Sequence, residues 1–176
     1  AEAAGAVAVA IDVDAAALIN MTVSGQPVGP KTFAELVELK QNIKLPLIIK
    51  GVMEIEDALK CAEAGIDGIV VSNHGGRVLD HTPGTAEVLP GIADAVGSKM
   101  TIFVDGGIRT GFDVLKMLAL GADAVLLGRP ITQAGAGGAE GVACLLKYMQ
   151  AELEAAMIMT GAQDLSKITR EIIYKK

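Results

Sequence analysis

The sequence predicts an α/β fold built around a parallel sheet. Apolar runs of about four to eight residues alternate with segments of helical periodicity, and glycine, proline or charged residues bound each run. The composition agrees: 51% of the 176 residues are hydrophobic but only 3% are aromatic, which is typical of a sheet covered by helices. A chain of this length buries a sizeable core, so we expect one domain over residues 1–176.

Five apolar runs are predicted as buried strands: Ala6–Val13, Leu45–Gly51, Asp67–Asn73, Met100–Gly107 and Asp123–Pro130. Capping signals place helices between them, with a capping box at the first start and glycines after the other ends: Thr32–Gln41, Ile55–Ala64, Thr85–Val96 and Gly111–Leu120. The glycine-rich segment Ala134–Gly141 follows no strand directly and is predicted as a flexible loop. This alternation predicts parallel strands joined by right-handed crossovers.

An internal repeat favours a closed barrel over an open sheet. The segment "IIKGVMEIEDALKCAEAGIDGIVVS" aligns with "FVDGGIRTGFDVLKMLALGADAVLLG" after one insertion, matching Asp57 with Asp113 and Asp67 with Asp123. Repeated units of this kind build a TIM (β/α)8 barrel, although an open doubly wound sheet contains them too. A full barrel typically needs about 250 residues. We therefore expect this chain to supply roughly strands four to eight, as the C-terminal part of a longer enzyme.

Polar residues or glycines follow every predicted strand, which is where a barrel carries its chemistry. The segments "DGGIRTG" and "LLGRP" each place glycine and arginine just past a strand, where a phosphate could meet backbone N–H groups and a guanidinium. Polar turns end most strands in any protein, and Arg129 could be a plain surface residue. The full set of strand-end residues is Asp12, Lys50, Ser72, His74, Arg77, Asp105, Gly106, Gly107, Arg109, Gly128 and Arg129.

Charge and cysteine content narrow the function classes. The formal net charge is −6, which argues against extensive contact with nucleic acid. No apolar run approaches the roughly 18 residues of a membrane span. Cys61 and Cys144 lack CxxC spacing and predict reduced thiols in a cytoplasmic protein. No metal site is predicted.

Several of these segments resemble one known family. "IIKG", "VVSNHGGRVLD", "VDGGIRTGFDVLKMLALGADAVLLGRP" and, more weakly, "AVAIDVD" are similar to the FMN-dependent α-hydroxy-acid oxidases and dehydrogenases, which include glycolate oxidase, lactate oxidase and flavocytochrome b2. The resemblance runs from about Val7 to Pro130. It implies FMN as cofactor and oxidation of a small L-2-hydroxy acid to the 2-oxo acid, with the electron acceptor left open. We also expect a homo-oligomer.

The same resemblance assigns a role to each strand-end residue. It implies that His74 is the catalytic base, that Asp12 pairs with it, and that Arg77 binds the substrate carboxylate. Lys50 would stand at the flavin N1/O2 edge and Ser72 would contact the flavin. The remaining residues would hold the ribityl chain (Asp105) and the phosphate (Gly106, Gly107, Arg109, Gly128 and Arg129).

The chain also departs from the family pattern. Ala10 stands where the family has a threonine, "AAALINMTVSGQPVGP" replaces an arginine-rich loop, and barrel strands one to three are missing. Two alternatives therefore stay open: a half-barrel that binds FMN or phosphate without turnover, and a non-redox FMN barrel such as an isomerase. The placement of His74 and Arg77 around two glycines argues against the isomerase.

Overall fold

The computed structural model describes residues 1–174 and confirms the parallel α/β fold. A single sheet has the strand order β1-β2-β3-β4-β5, and every neighbouring pair is parallel. A doubly wound sheet reverses its strand order at a switch point, whereas a barrel keeps neighbours consecutive. The order therefore favours the barrel, of which the described residues form a five-stranded sector. The strands are β1 Val9–Asp12, β2 Leu47–Val52, β3 Gly68–Val71, β4 Thr101–Val104 and β5 Ala124–Val125.

Helices connect successive strands and cover the sheet. The helix α2 begins with a capping box, in which Thr32 and Glu35 bond each other's backbone N–H groups. The helix α5 begins with the same device, formed by Thr110 and Asp113. The helices are α1 Ile19–Val23, α2 Phe33–Asn42, α3 Ile55–Glu63, α4 Thr85–Val96, α5 Gly111–Ala119, α6 Arg129–Ala134 and α7 Gly138–Thr160.

The core lies between the sheet and the helices that follow its strands. Strand β3 is buried at every position, which explains why its sequence is a continuous apolar run rather than an alternating one. Leu47, Ile69 and Ile102 from three neighbouring strands are fully buried against Leu89 and Ile92 of α4. This close packing against α4 keeps the strands, and therefore their ends, in fixed positions relative to one another.

The internal repeat reappears as repeated geometry. The Asp67 carboxylate accepts the Leu47 N–H at 2.7 Å, and the matching Asp123 carboxylate accepts the Ile102 N–H at 2.7 Å. Each aspartate thus satisfies a backbone donor at the amino end of the preceding strand. The side chain of Lys40 donates to Asp67, and although burial opposes it, this contact and the Leu47 N–H lower the pKa of that carboxyl.

Two features differ from the sequence predictions. The last strand covers only Ala124–Val125, because the chain turns into α6 at Arg129 with proline in its first turn. The prediction of a flexible loop over Ala134–Gly141 is wrong, because α7 begins at Gly138. A Cβ on Gly141 would lie 2.2 Å from the Ala134 carbonyl oxygen, so glycine there serves close packing rather than mobility.

The C-terminal segment folds back onto the helices. Both terminal nitrogens of Arg170 contact the Asp94 carboxylate of α4 at 2.8 Å, and Arg170 Nη2 also donates to the Pro90 carbonyl at 3.0 Å. This contact lowers the pKa of Asp94 and raises that of Arg170. Across residues 1–174, no helix has the length and apolarity needed to cross a bilayer.

Candidate active site

The carboxyl ends of the five strands open onto one cleft of about 1020 Å³. Parallel neighbours end at the same edge of a sheet, so residues far apart in sequence meet there. Ten of the eleven predicted site residues line this cleft: Asp12, Lys50, His74, Arg77, Asp105, Gly106, Gly107, Arg109, Gly128 and Arg129.

His74 lies in a tight turn directly after β3. Its φ is 56°, and Gly75 and Gly76 follow at 70° and 75°, so three consecutive residues occupy the left-handed region. A non-glycine residue there stores strain that is common at functional sites. The Arg77 Nε–H donates to the His74 carbonyl at 3.0 Å. One turn therefore fixes both side chains at the edge of the cleft.

Ser72 is the predicted site residue that the structure does not bring to the cleft. Its side chain is fully buried below the turn, and its hydroxyl accepts the His74 N–H at 3.1 Å. The physical reason is that β3 is buried at every position and Ser72, the residue directly after it, remains in the same buried layer. Ser72 thus stabilises the strained turn.

In the structure the carboxylate in contact with His74 is that of Asp14, whereas the sequence predicted Asp12 for this place. Asp14 Oδ1 lies 3.3 Å from His74 Nδ1, and the Asp14 side chain is only 10% exposed. Asp12 is the last residue of β1, whereas Asp14 lies in the turn that follows and carries its carboxylate toward β3. His74 Nε2 has no hydrogen-bond partner within residues 1–174, which leaves it free to face a ligand.

The Lys50 side chain lies between Asp12 and His74. Its ammonium contacts Asp12 Oδ1 at 2.7 Å and lies 3.5 Å from His74 Nδ1. The ligand atoms of Asp12, Asp14 and His74 lie within 4.8 Å of one another, a spacing at which such groups could hold a metal ion. The Lys50 ammonium already contacts two of these three groups, Asp12 and His74, and its positive charge offsets the negative charge of Asp12.

Another part of the cleft wall combines open backbone with positive charge. A Cβ placed on Gly107 or Gly128 would meet nothing within 4 Å, so their backbones are accessible to a ligand. Arg109 and Arg129 line the same wall, and the Arg129 guanidinium reaches across to the His74 turn, 3.0 Å from where a Cβ on Gly75 would lie. An anionic group is the natural ligand for this arrangement.

The loop that carries Arg109 is held by the start of α5. Asp113 Oδ2 accepts the N–H groups of Arg109 and Thr110 at 3.1 and 3.2 Å, and the Thr110 hydroxyl at 2.9 Å. Burial opposes ionisation of Asp113, but these bonds and Lys116 outweigh it and lower the pKa of that carboxyl. Glu152 of α7 caps the same helix by accepting the Gly111 N–H at 2.8 Å.

Some cleft residues were not predicted from the sequence. Thr132 and Gln133 of α6 and Leu145 of α7 line the wall behind Arg129. Their positions depend on α6 and α7, whose bounds were not predicted from the sequence. The start of α6 at "GRP" does carry a signal, because proline is favoured in the first turn of a helix.

The sequence profile of the FMN-dependent dehydrogenases matches residues 14–175 of this chain. The chain belongs to the FMN-dependent dehydrogenase family. The matched range begins at Asp14, so it includes the observed partner of His74 and leaves out Asp12. The family resemblance of the sequence is thereby confirmed.

Relatives and solved structures agree with this family. The chain is 50% identical over 138 residues to an L-lactate dehydrogenase of Caulobacter sp. (strain K31), and the alignment covers 78% of this chain and 36% of that protein. It is 47% identical over 144 residues to a 2-hydroxyacid oxidase of Dictyostelium discoideum, covering 81% and 37%. A crystal structure of mandelate oxidase superposes with a TM-score of 0.86 at 37% identity, covering 96% of this chain and 55% of that one. The chain thus spans little more than a third of these curated relatives.

The cleft residues fit FMN, the cofactor of this family. Asp105 Oδ1 is buried and has no partner within the described chain, so it can accept a hydrogen bond from a ligand hydroxyl such as those of a ribityl chain. The open backbone at Gly107 and Gly128, with Arg109 and Arg129 beside it, suits a phosphate. A mandelate oxidase mutant with the monooxide FMN adduct has the same fold, with a TM-score of 0.85.

Proposed function

We propose that this chain provides the cofactor and substrate site of an enzyme that oxidises a small L-2-hydroxy acid to the 2-oxo acid. One observation carries the proposal: one turn fixes His74 and Arg77 at the edge of the cleft. The same cleft contains Asp105 and the glycine and arginine residues that suit a phosphate. The names of the relatives, L-lactate dehydrogenase and 2-hydroxyacid oxidase, support this substrate class.

His74 acts as the general base. Asp14 engages Nδ1, so Nε2 is the nitrogen available to take the proton of the substrate hydroxyl. A positioned base of this kind typically contributes about 10²–10⁴-fold to a rate.

Arg77 binds the substrate carboxylate. Its Nε–H is used by the His74 carbonyl, so the terminal nitrogens of the guanidinium are left for the substrate. The base and the anchor are three positions apart, which places the hydroxyl and the carboxylate of one small acid within reach of both.

Lys50, Asp105 and the two arginines hold the cofactor. FMN, when bound, supplies the acceptor for the two electrons that the substrate loses.

The test is an anaerobic titration of the FMN-loaded protein with glycolate, L-lactate and L-mandelate. We expect at least one acid to bleach the visible flavin absorbance, and we expect His74→Gln to bind FMN equally but to bleach about 10²–10⁴ times more slowly. The exposed histidine supplies the control, because His81→Gln should bleach like wild type. A flavin-loaded protein that does not respond to the whole panel would refute the proposal.

A second candidate is a module that binds FMN or phosphate without turnover. The observation that favours it is the short coverage of the relatives, 36% and 37% of their lengths. A protein that binds FMN but is not bleached by any acid would support this candidate. A protein that neither binds FMN nor is bleached would exclude it.

We also propose a cytoplasmic location and a homo-oligomer. Cys61 and Cys144 form no disulfide, as expected where thiols stay reduced. Light scattering coupled to gel filtration measures the assembly.

A further inference from the structure

Gly51 forms a bulge in β2 directly beside the reactive histidine. The register between β2 and β3 shifts between Lys50 and Val52, and Gly51 has a φ of 101°. A Cβ on Gly51 would lie 2.5 Å from both Cβ and Cγ of Asp14 and 2.8 Å from its Oδ1. The space above the bulge is therefore occupied by the Asp14 side chain, and an added methyl group would have to displace it.

Shape, rather than a hydrogen-bond network, fixes the Asp14 carboxylate. The Asp14 side chain is only 10% exposed, yet Oδ2 is buried with no partner among the described residues. The turn that carries Asp14 is joined to β2 by the Val13 N–H, which donates to the Lys50 carbonyl at 2.9 Å. Within residues 1–174, Oδ1 contacts His74 alone, so its position depends on the absence of a side chain at Gly51.

Two groups compete for the same nitrogen of His74. Asp14 Oδ1 lies 3.3 Å from Nδ1 and can only accept a hydrogen bond, whereas the Lys50 ammonium lies 3.5 Å away and can only donate one. The carboxylate requires a proton on Nδ1, and the ammonium requires a lone pair there. The winner decides which nitrogen of the neutral ring carries the hydrogen.

We propose that Gly51 is a positioning residue that selects the Nδ1–H tautomer of His74 by giving Asp14 its place against the ring. In this tautomer Nε2 carries the lone pair, so it can take a proton from the cleft side. With a side chain at position 51, Asp14 moves away, Lys50 becomes the partner of Nδ1, and the proton moves to Nε2. The value of this selection for catalysis rests on the proposed function, whereas the tautomer itself does not.

The experiment is long-range ¹H–¹⁵N NMR of the histidine rings in the full chain, at a pH alkaline enough to keep the imidazoles neutral. The chain has only two histidines, and the exposed His81 serves as an internal reference for an unconstrained ring. We expect His74 to show a protonated Nδ1 in the wild type and a protonated Nε2 in Gly51→Ala. A wild-type His74 with its proton on Nε2 overturns the proposal, as does a Gly51→Ala ring unchanged from wild type.

A matched control separates this effect from general backbone strain. Gly121 has a φ of 111°, and a Cβ there would lie 2.5 Å from Ala93 Cβ, but it precedes β5 at the opposite end of the sheet. Gly121→Ala therefore introduces a comparable strain and overlap, and we expect it to leave the His74 tautomer as in wild type. An equal change in both variants would refute the role of Gly51.

A double-mutant cycle keeps the proposal testable if Gly51→Ala alone does not fold. Asp14→Gly removes the three atoms that would lie nearest to the new methyl group, and by itself should move the His74 proton to Nε2. Adding Gly51→Ala to Asp14→Gly should then change nothing further. If the double variant fails to fold, Gly51 is required by its φ alone and the proposal fails. Because no substrate or flavin is used, these outcomes are independent of whether 2-hydroxy acids bleach the cofactor.

Discussion

Asp113 and Asp57 occupy equivalent places in the internal repeat, yet the structure gives them different tasks. Asp113 Oδ2 accepts three hydrogen bonds, from Arg109 and Thr110, at the start of α5. Asp57 contacts only the side chain of Lys60, at 3.3 Å, within the described chain. We therefore predict that Asp113→Ala destabilises the protein and that Asp57→Ala hardly does.

The expected magnitudes follow from these contacts. Loss of a helix-capping interaction costs about 1 kcal/mol, and leaving N–H groups without a partner adds about 1 kcal/mol more at a partly exposed site. Asp113→Ala should thus cost about 2 kcal/mol, which in a chain of this size lowers Tm by about 4–8 °C. Asp57 is 59% exposed, and an (i,i+3) pair there contributes about 0.2–0.5 kcal/mol. The gain in helix propensity on changing Asp to Ala is the same at both positions and cancels.

Thermal and urea unfolding followed by circular dichroism measure the difference. The pKa of Asp113 is lowered in the folded state, so ionised Asp113 stabilises the fold above the ordinary aspartate pKa and this contribution is lost as pH falls through the lowered value. The gap between wild type and Asp113→Ala should therefore be complete at neutral pH and shrink in acid. Equal Tm values for Asp113→Ala and Asp57→Ala at neutral pH would contradict this reasoning. They would show that the hydrogen bonds of Asp113 do not make it more important for stability than Asp57.

Three further predictions concern other parts of the molecule. Burial raises the pKa of Cys61 to about 11, so native protein should show one fast-reacting thiol with a disulfide reagent, and Cys144→Ser should abolish it. Arg129→Ala should weaken FMN binding by about tenfold or more in a flavin fluorescence titration, whereas Lys147→Ala, on the exposed face of α7, should not. Arg170→Ala removes the contacts that fasten the C-terminal segment to α4, so limited proteolysis should cut that segment faster while leaving the remainder intact; an unchanged cleavage rate would contradict this role.

The sequence alone determined the strands and most of the cleft. Buried parallel strands are continuous apolar runs, and a run that stops at a histidine, an arginine or a glycine pair marks the end of a strand. Because parallel strands end at one edge, the residues that follow each strand, among them His74, Arg77 and Asp105, are predicted to share one cleft, and they do. Local signals were sufficient because each lies within a few residues of its strand.

Only the tertiary structure decided how these residues pair. Asp12 and Asp14 are two positions apart, so strand periodicity places them on the same side and cannot choose between them. The choice depends on where β1 ends, on the turn that follows, and on the bulge at Gly51 that leaves room for one carboxylate beside His74. Burial of Ser72 depends in the same way on the layers packed around β3. Such contacts join segments distant in the chain, and their distances are set by packing that no local pattern encodes.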